Sequence, residues 1–314
     1  MFYTVRHRTE FRYSHPVREG VMEVRTQPRS EGHQRCLTFE LGVTPPTRVM
    51  SYQDFLGNIV HHFDIPGAFS ELTVTAQALV EVQPQPDLAT VGSGDWKDLD
   101  TQVAGGDYWD MLTPSRFATP TPLLRQLARE LRAERRDRPL EVLRELNNAI
   151  ATTFEYMPNS TKVDSPIDEA LRRRQGVCQD LAHIMIAMVR DLCIPCRYVS
   201  GYLSHRDESK PRSAESATHA WVEAWLPGPG WIGFDPTNRL VSGVHHVRVA
   251  VGRDYADVPP TRGIYKGNAD EELRVSVRVS PADAPLPEEL PPASIVRRAR
   301  RVPLRAEPVD QQQQ

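Results

Sequence analysis

A chain of 314 residues that is 39% hydrophobic and 25% charged has the composition of a globular protein, the length for about two domains, and enough residues to bury a core without staples. Its net charge of −3 leaves no case for a nucleic acid or an acidic membrane surface as partner. No run reaches the roughly 18 consecutive apolar residues of a membrane-spanning helix.

The opening Met1-Phe2-Tyr3-Thr4-Val5-Arg6-His7 reads as a strand and lacks the features of a signal peptide, so a cytoplasmic location is expected. Residues 1–85 are expected to form an all-β domain. Tyr3, Val5, His7, Thr9, Phe11 and Tyr13 alternate with polar positions, as do Leu37, Phe39 and Leu41, and Leu72, Val74, Ala76, Ala78, Val80 and Val82. A period of two marks half-buried strands. Leu56-Gly57-Asn58 lies between two apolar runs and reads as a hairpin turn. Residues 86–119, rich in Pro, Gly and Asp without a period, read as a linker.

From 120 the pattern turns helical, with Leu123, Leu124, Leu127 and Leu131, then Leu143, Leu146, Ile150 and Phe154, at helical spacing. Ser165-Pro166-Ile167-Asp168 has the order of a helix start: a capping serine, a first-turn proline, and an acid near the positive dipole end. Gly176 stops that helix, and a new one is expected from Cys178 to Leu192, closed by Pro195. Strands are expected over 197–203, 218–226 and 231–234, the last two joined by Pro227-Gly228-Pro229-Gly230, and again over 273–279. These elements place a core over 120–280. From 281 to 314 the chain is rich in Pro, Arg and Gln and reads as a disordered tail.

Three residues suggest chemistry. Cys178 opens a helix directly after a glycine break. A helix start favours a thiolate, and its unpaired N–H groups, that of Cys178 included, are placed to bind a developing oxyanion. His219 stands near the start of one strand and Asp235 at the end of the next. If the hairpin between them has an odd connection centred on Gly228, His219 lies opposite Thr237 and Asp235 opposite Trp221. The two are then diagonal neighbours on one face, roughly 7–8 Å apart in the backbone. An even connection puts them on opposite faces. A carboxylate on one imidazole nitrogen would fix the tautomer and leave the other nitrogen for the thiol.

Gly-Val-Cys178-Gln-Asp-Leu-Ala-His183, Ala217-Thr-His219-Ala-Trp-Val-Glu and Gly233-Phe-Asp235-Pro-Thr-Asn, in that order, resemble the transglutaminase-like superfamily, as does Pro195-Cys-Arg-Tyr-Val-Ser-Gly201-Tyr. The opening Tyr-Thr-Val-Arg-His-Arg-Thr-Glu-Phe-Arg-Tyr, Pro16-Val17, Asp54-Phe-Leu-Gly-Asn58 and Gly252-Arg-Asp-Tyr-Ala-Asp-Val258 are similar to its bacterial members with a separate N-terminal β region. The resemblance covers about residues 1–280. It implies an α+β fold: a papain/transglutaminase-like core, with a nucleophile helix packed on an antiparallel sheet, preceded by the all-β N-terminal domain. It also implies Cys178, His219 and Asp235 as nucleophile, general acid/base and orienter. In many bacterial members, small residues stand at the positions of Cys193 and Cys196.

Tyr156, Gln179 and Trp221 are the candidate substrate-contacting residues, from their places before the nucleophile helix, in its first turn, and on the His219 face. A core aromatic is an equally good reading of Tyr156. With Cys36, the four cysteines are too few for a disulfide framework. Cys193-Ile-Pro-Cys196 resembles a redox or zinc pair but lacks a second ligand pair, so packing is favoured. His183 points away from Cys178 and reads as structural. His61-His62 and His245-His246 have no acidic or cysteine partner at metal spacing, and no acidic loop has calcium-ligand spacing, so neither metal nor cofactor is expected. Arg172-Arg173-Arg174 reads as a solvated helix face, and the basic run 297–301 falls in the tail.

The expected function is thiol-dependent hydrolysis of an amide bond in a peptide or protein substrate. Transfer of the acyl group to an amine, or a non-catalytic binding role on the same fold, are the alternatives.

Overall fold

The computed structural model describes residues 1–85, 88, 92, 94–204 and 218–284. The chain opens with β1 (Phe2–Val24), β2 (Gln34–Thr44), β3 (Met50–Gln53) and β4 (Ile59–Val82). Helices α1 (Trp96–Val103), α2 (Trp109–Leu112), α3 (Pro122–Glu130) and α4 (Pro139–Thr153) follow. Next come β5 (Glu155–Tyr156), α5 (Ile167–Arg173), β6 (Gln175–Gly176) and α6 (Cys178–Asp191). The chain then runs through β7 (Cys196–Leu203), β8 (His219–Leu226), β9 (Gly230–Asp235), β10 (Leu240–Val241), β11 (His246–Gly252), β12 (Thr261–Lys266) and β13 (Glu271–Ala282).

The period of two in residues 1–85 takes the expected form. Tyr3, Val5, Phe11 and Tyr13 on β1, and Leu72, Val74, Ala76, Ala78, Val80 and Val82 on β4, are buried while their neighbours face outward. β1 and β4 pair antiparallel, and β2 covers the other edge of β4. The strands at 261–282 belong to this sheet, not to the core. β13 pairs with the first half of β1 (Phe2↔Ala282 through Tyr13↔Glu271) and β12 with its second half. The expected core of 120–280 is corrected accordingly, and the expected tail of 281–314 begins inside a strand. Residues 285–314 lie outside the described residues.

Two further boundaries change. The expected linker contains α1, capped by Asp95 and anchored by the fully buried Leu99, and the four-residue α2. One buried leucine in eight residues leaves no period to read. Ser165 does not cap α5; its hydroxyl donates to Glu169 (2.8 Å).

A five-stranded antiparallel sheet, in the order β10-β9-β8-β7-β11, carries α6 on one face. That face is cut from Tyr198, Ala220, Val222 and Ala224, and its small residues let the helix approach closely. The same core includes Tyr3, Val5, Val80 and Val82 of the N-terminal sheet, so apolar packing is continuous between the two regions. Asn58, fully buried at the turn before β4, binds both the N–H and the C=O of Val251 on β11 (2.8 Å each) and accepts from Arg29 (2.6 Å). No helix among the described residues is long and apolar enough to cross a membrane.

Candidate active site

Cys178 starts α6 at the junction of three segments. Tyr156 on β5 lies beside Gly176 on β6 in a short parallel pair. Val177 then leads into the helix with an extended backbone. Asp180 reaches back from the first turn, accepting from the Val177 N–H (2.9 Å) and the Thr161 hydroxyl (2.6 Å). Burial pushes its carboxyl up, against those two hydrogen bonds. This self-capping turn fixes where the Cys178 side chain leaves the helix.

The β8–β9 hairpin has the odd connection. Val222 faces Phe234 and Ala224 faces Ile232, a register centred on Gly228, whose φ is +94°. His219 and Asp235 therefore share a face, and the imidazole Nε2–H donates to Asp235 Oδ2 at 2.7 Å. Asp235 is fully buried and well supplied with donors. The N–H groups of Thr237 (3.0 Å) and Asn238 (3.1 Å) reach Oδ1; the Asn238 amide (2.8 Å) and His246 Nε2 (3.3 Å) reach Oδ2. A backbone N–H, that of Gly243, donates to Nδ1 of His246 (3.4 Å), which leaves its Nε2 as the protonated nitrogen.

Burial alone would lower the His219 pKa, but the charge and hydrogen bond of Asp235, with a smaller contribution from Cys178, raise it to about 10. The same pairing outweighs desolvation at Asp235 and holds its carboxyl far below the usual range. His219 Nδ1 is buried and makes no hydrogen bond of ordinary geometry, although the Cys178 side chain is near enough to interact with the ring. One ring nitrogen is thus anchored on Asp235, and the other is left without a hydrogen bond in the neighbourhood of Cys178.

Trp221 lies under this corner, its ring 6.1 Å from His219 in a stacked arrangement and 5.2 Å from His246 edge-on. The motif glycines make room for it. A Cβ at Gly201 would lie 2.6 Å from the Trp221 ring and 2.2 Å from the Val247 carbonyl; one at Gly233 would lie 1.9 Å from Ser242 Oγ.

The expected substrate contacts divide. Tyr156 is half-buried beside the turn that leads into Cys178. Trp221 is fully buried beneath the imidazole, so it supports the site and does not face a substrate. Gln179 donates its side-chain amide to Val163 (2.8 Å), tying the 157–165 loop to the helix start. His183 is structural, stacked between Phe117 and Tyr198 and accepting from the Tyr255 N–H (3.2 Å). Cys196 is buried with its thiol on the Ile186 carbonyl (3.5 Å), whereas Cys193 is exposed.

The residues that sequence reading missed are Asn238, His246 and Tyr198. Asn238 closes the Gly233–Asn238 motif, the one local signal for it. Tyr198, buried near Cys178 with its hydroxyl pKa pushed well up by burial, was visible only as a member of the Pro195–Tyr202 stretch. The ligand atoms of His219, Asp235 and His246 lie within 4.8 Å of one another, a spacing able to hold a cation. Each is already engaged in the hydrogen bonds above, and a cation there would take the carboxylate away from His219.

The model of the transglutaminase-like superfamily core matches residues 125–236, and that of the bacterial transglutaminase-like N-terminal region matches residues 3–81. An uncharacterized protein of Mycobacterium leprae is 33% identical over 277 residues, covering 87% of this chain and 96% of its own. A Pseudomonas aeruginosa protein-glutamine gamma-glutamyltransferase is 30% identical over 158 residues, 46% of this chain and 23% of its own. A candidate cysteine protease from Cytophaga hutchinsonii has a similar structure, with a TM-score of 0.70 at 25% identity, over 91% of this chain and 92% of its own. The helix-borne thiol, the strand-borne imidazole and carboxylate, and the β region before them fit these likenesses: the chain belongs to the transglutaminase-like superfamily and carries its bacterial N-terminal region.

Proposed function

We propose that the protein is a thiol-dependent amide hydrolase of the peptidase or amidase type, acting on a peptide or protein. The observation that carries this reading is the buried, unpaired Nδ1 of His219, next to Cys178 and anchored at Nε2 by Asp235. The Cys178 thiol gives its proton to His219 Nδ1 and Sγ attacks the amide carbonyl, while the first-turn N–H groups of α6 receive the oxyanion. His219 gives its Nδ1 proton to the leaving amine, and a thioester remains. Water then attacks the thioester, His219 takes a proton from it, and acid and thiolate separate. Asp235 keeps the imidazole oriented and compensates its charge throughout.

Likeness to the Pseudomonas aeruginosa glutamyltransferase over part of the chain favours a second reading, in which an amine replaces water and the product is a new amide. One experiment addresses both. The protein and its Cys178→Ala form are incubated with a peptide library, with and without a primary amine, and masses are read. Hydrolysed peptides support the first reading and amine adducts the second; either product should vanish in Cys178→Ala. No product under any condition would sink catalysis and leave a binding protein.

A further inference from the structure

The N-terminal sheet encloses a second apolar cluster, separate from the main core and made by the bent halves of β1 and β4. A cavity of about 250 Å³ opens on this cluster. Its floor is aromatic and aliphatic, with Phe11, Phe63, Phe69 and Leu72 among its residues. Its rim gathers four exposed aliphatic side chains: Val21 (47% exposed), Val163 (60%), Ile264 (75%) and Leu273 (50%). Scattered exposed aliphatics are ordinary, but several around one apolar opening mark a binding surface.

Two residues of its lining, Val163 and Tyr255, touch neighbours of the proposed reaction centre. Val163 accepts from Gln179, the residue after Cys178. Tyr255 also lines the cavity, and its ring lies 6.4 Å from that of Tyr198, the buried tyrosine near Cys178. Chemistry and size narrow the occupant. Among the described residues the lining has no basic side chain, and its one charged group is Glu271, next to the Tyr13 hydroxyl. An acidic group would be repelled and an apolar one desolvated. The volume is below the roughly 300–1,000 Å³ usual for drug-sized ligands, a space for one side chain.

We infer that this cavity is a substrate subsite, in which the N-terminal β region receives one bulky apolar side chain, of the Leu, Met or Phe kind, from the peptide whose amide Cys178 attacks. The role in turnover rests on the proposed acyl-transfer reading; the binding of the side chain does not. On this assignment the N-terminal region selects substrates, and the Cys178 corner acts on whatever peptide is anchored there.

The test separates the two. Full-length Cys178→Ala protein is immobilised and used to select from a degenerate peptide library, and the retained peptides are sequenced. Enrichment of Leu, Met or Phe at one position, with depletion of Asp and Glu there, is expected. Ile264→Asp and Leu273→Asp, each in the Cys178→Ala background, should reduce the enrichment roughly tenfold to a hundredfold, the worth of burying one such side chain. Both positions are at least half exposed, so the variants should melt with their parent. Phe55→Asp, an exposed apolar residue outside the cavity, should leave the enrichment intact. No apolar enrichment, or an enrichment that survives both cavity variants, would overturn the subsite. If enrichment follows the cavity but the unsubstituted protein yields no product from the selected peptides, the subsite stands and the catalytic reading falls.

Discussion

Two buried imidazoles of this protein sit in opposite electrostatic surroundings, one at the Asp235 corner and one in the aromatic pocket beside α6. His219 and His183 are both almost wholly enclosed. Burial lowers the pKa of each, because it penalises the charged form. At His183 nothing reverses this: the ring lies between Phe117 and Tyr198, and its pKa falls to about 4. Asp254 is near, but its carboxylate is committed to the N–H groups of Phe117 (2.7 Å) and Ala256 (2.8 Å). At His219 a carboxylate 2.7 Å away reverses the sign and raises the pKa to about 10. A buried histidine is therefore no sign of chemistry by itself. The sign comes from a directed carboxylate and a second nitrogen left open.

The largest test of this contrast is Asp235→Asn. It keeps the shape but removes the charge and leaves His219 in surroundings closer to those of His183. The imidazole should lose its proton near neutral pH and its tautomer should no longer be fixed. Turnover should fall on the order of 10³- to 10⁴-fold, as when the orienting aspartate of a catalytic triad is lost. Alkylation of Cys178 by iodoacetamide at pH 6 should slow as the imidazolium partner is lost. Unchanged alkylation would separate His219 from the thiol and break the comparison.

Stability against pH should carry both signatures. His219 has a folded value above the reference of 6.5, so its contribution is full below pH 6.5 and is lost as pH rises toward 10. His183 is depressed, so the unfolded chain takes up a proton first, and stability falls as pH drops from 6.5 toward 4. Urea midpoints should therefore decline on both sides of neutrality. His183→Gln should flatten the acid limb by on the order of 3 kcal/mol, and Asp235→Asn should flatten the alkaline one. An acid limb that persists unchanged in His183→Gln would sink the assignment.

The parts of this arrangement that were legible in the sequence are those set by local rules. Alternation gave β1 and β4, and the turn at Gly228 limited the hairpin to two registers, one of which brings His219 to Asp235. The start of α6 at Cys178 was read from Gly176, although α5 ends earlier, at Arg174 in the left-handed region, and Gly176 lies in β6. Gly201 and Gly233 were visible only as members of motifs; the Trp221 ring explains the first and the Ser242 side chain the second. The unread parts depend on distant partners. Strand pattern located β13, but only tertiary pairing decides that β12 and β13 share the outer edge of β1. The 96–112 helices were missed because α1 buries a single leucine. Of the cavity floor, Phe11 and Leu72 stand out in the alternation, but nothing in a period of two reveals the register shifts that interrupt the pairing of β1 with β4 between Arg12 and Val17.

His246 is the clearest case of such a distant partner, and it gives the smallest expected effect. Read locally, it was one of two adjacent histidines without an acidic neighbour. In the sheet it starts β11, separated from β9 by β8 and β7, and still reaches Asp235 at 3.3 Å. Its hydrogen bond helps hold that carboxyl ionised and in line with His219. A hydrogen bond to a charged group contributes about 1.5–3 kcal/mol, so His246→Ala should lower kcat/KM roughly tenfold to a hundredfold, well short of Asp235→Asn. His246→Gln, which keeps a side-chain N–H, should recover part of the loss. A positioning role also predicts slower alkylation of Cys178 at pH 6 in the alanine variant, with recovery in the glutamine one. If His246 only fills space beside Trp221, the melting temperature should fall while the alkylation rate stays put, and the Asp235 carboxylate would then be held for His219 by the Thr237 and Asn238 donors.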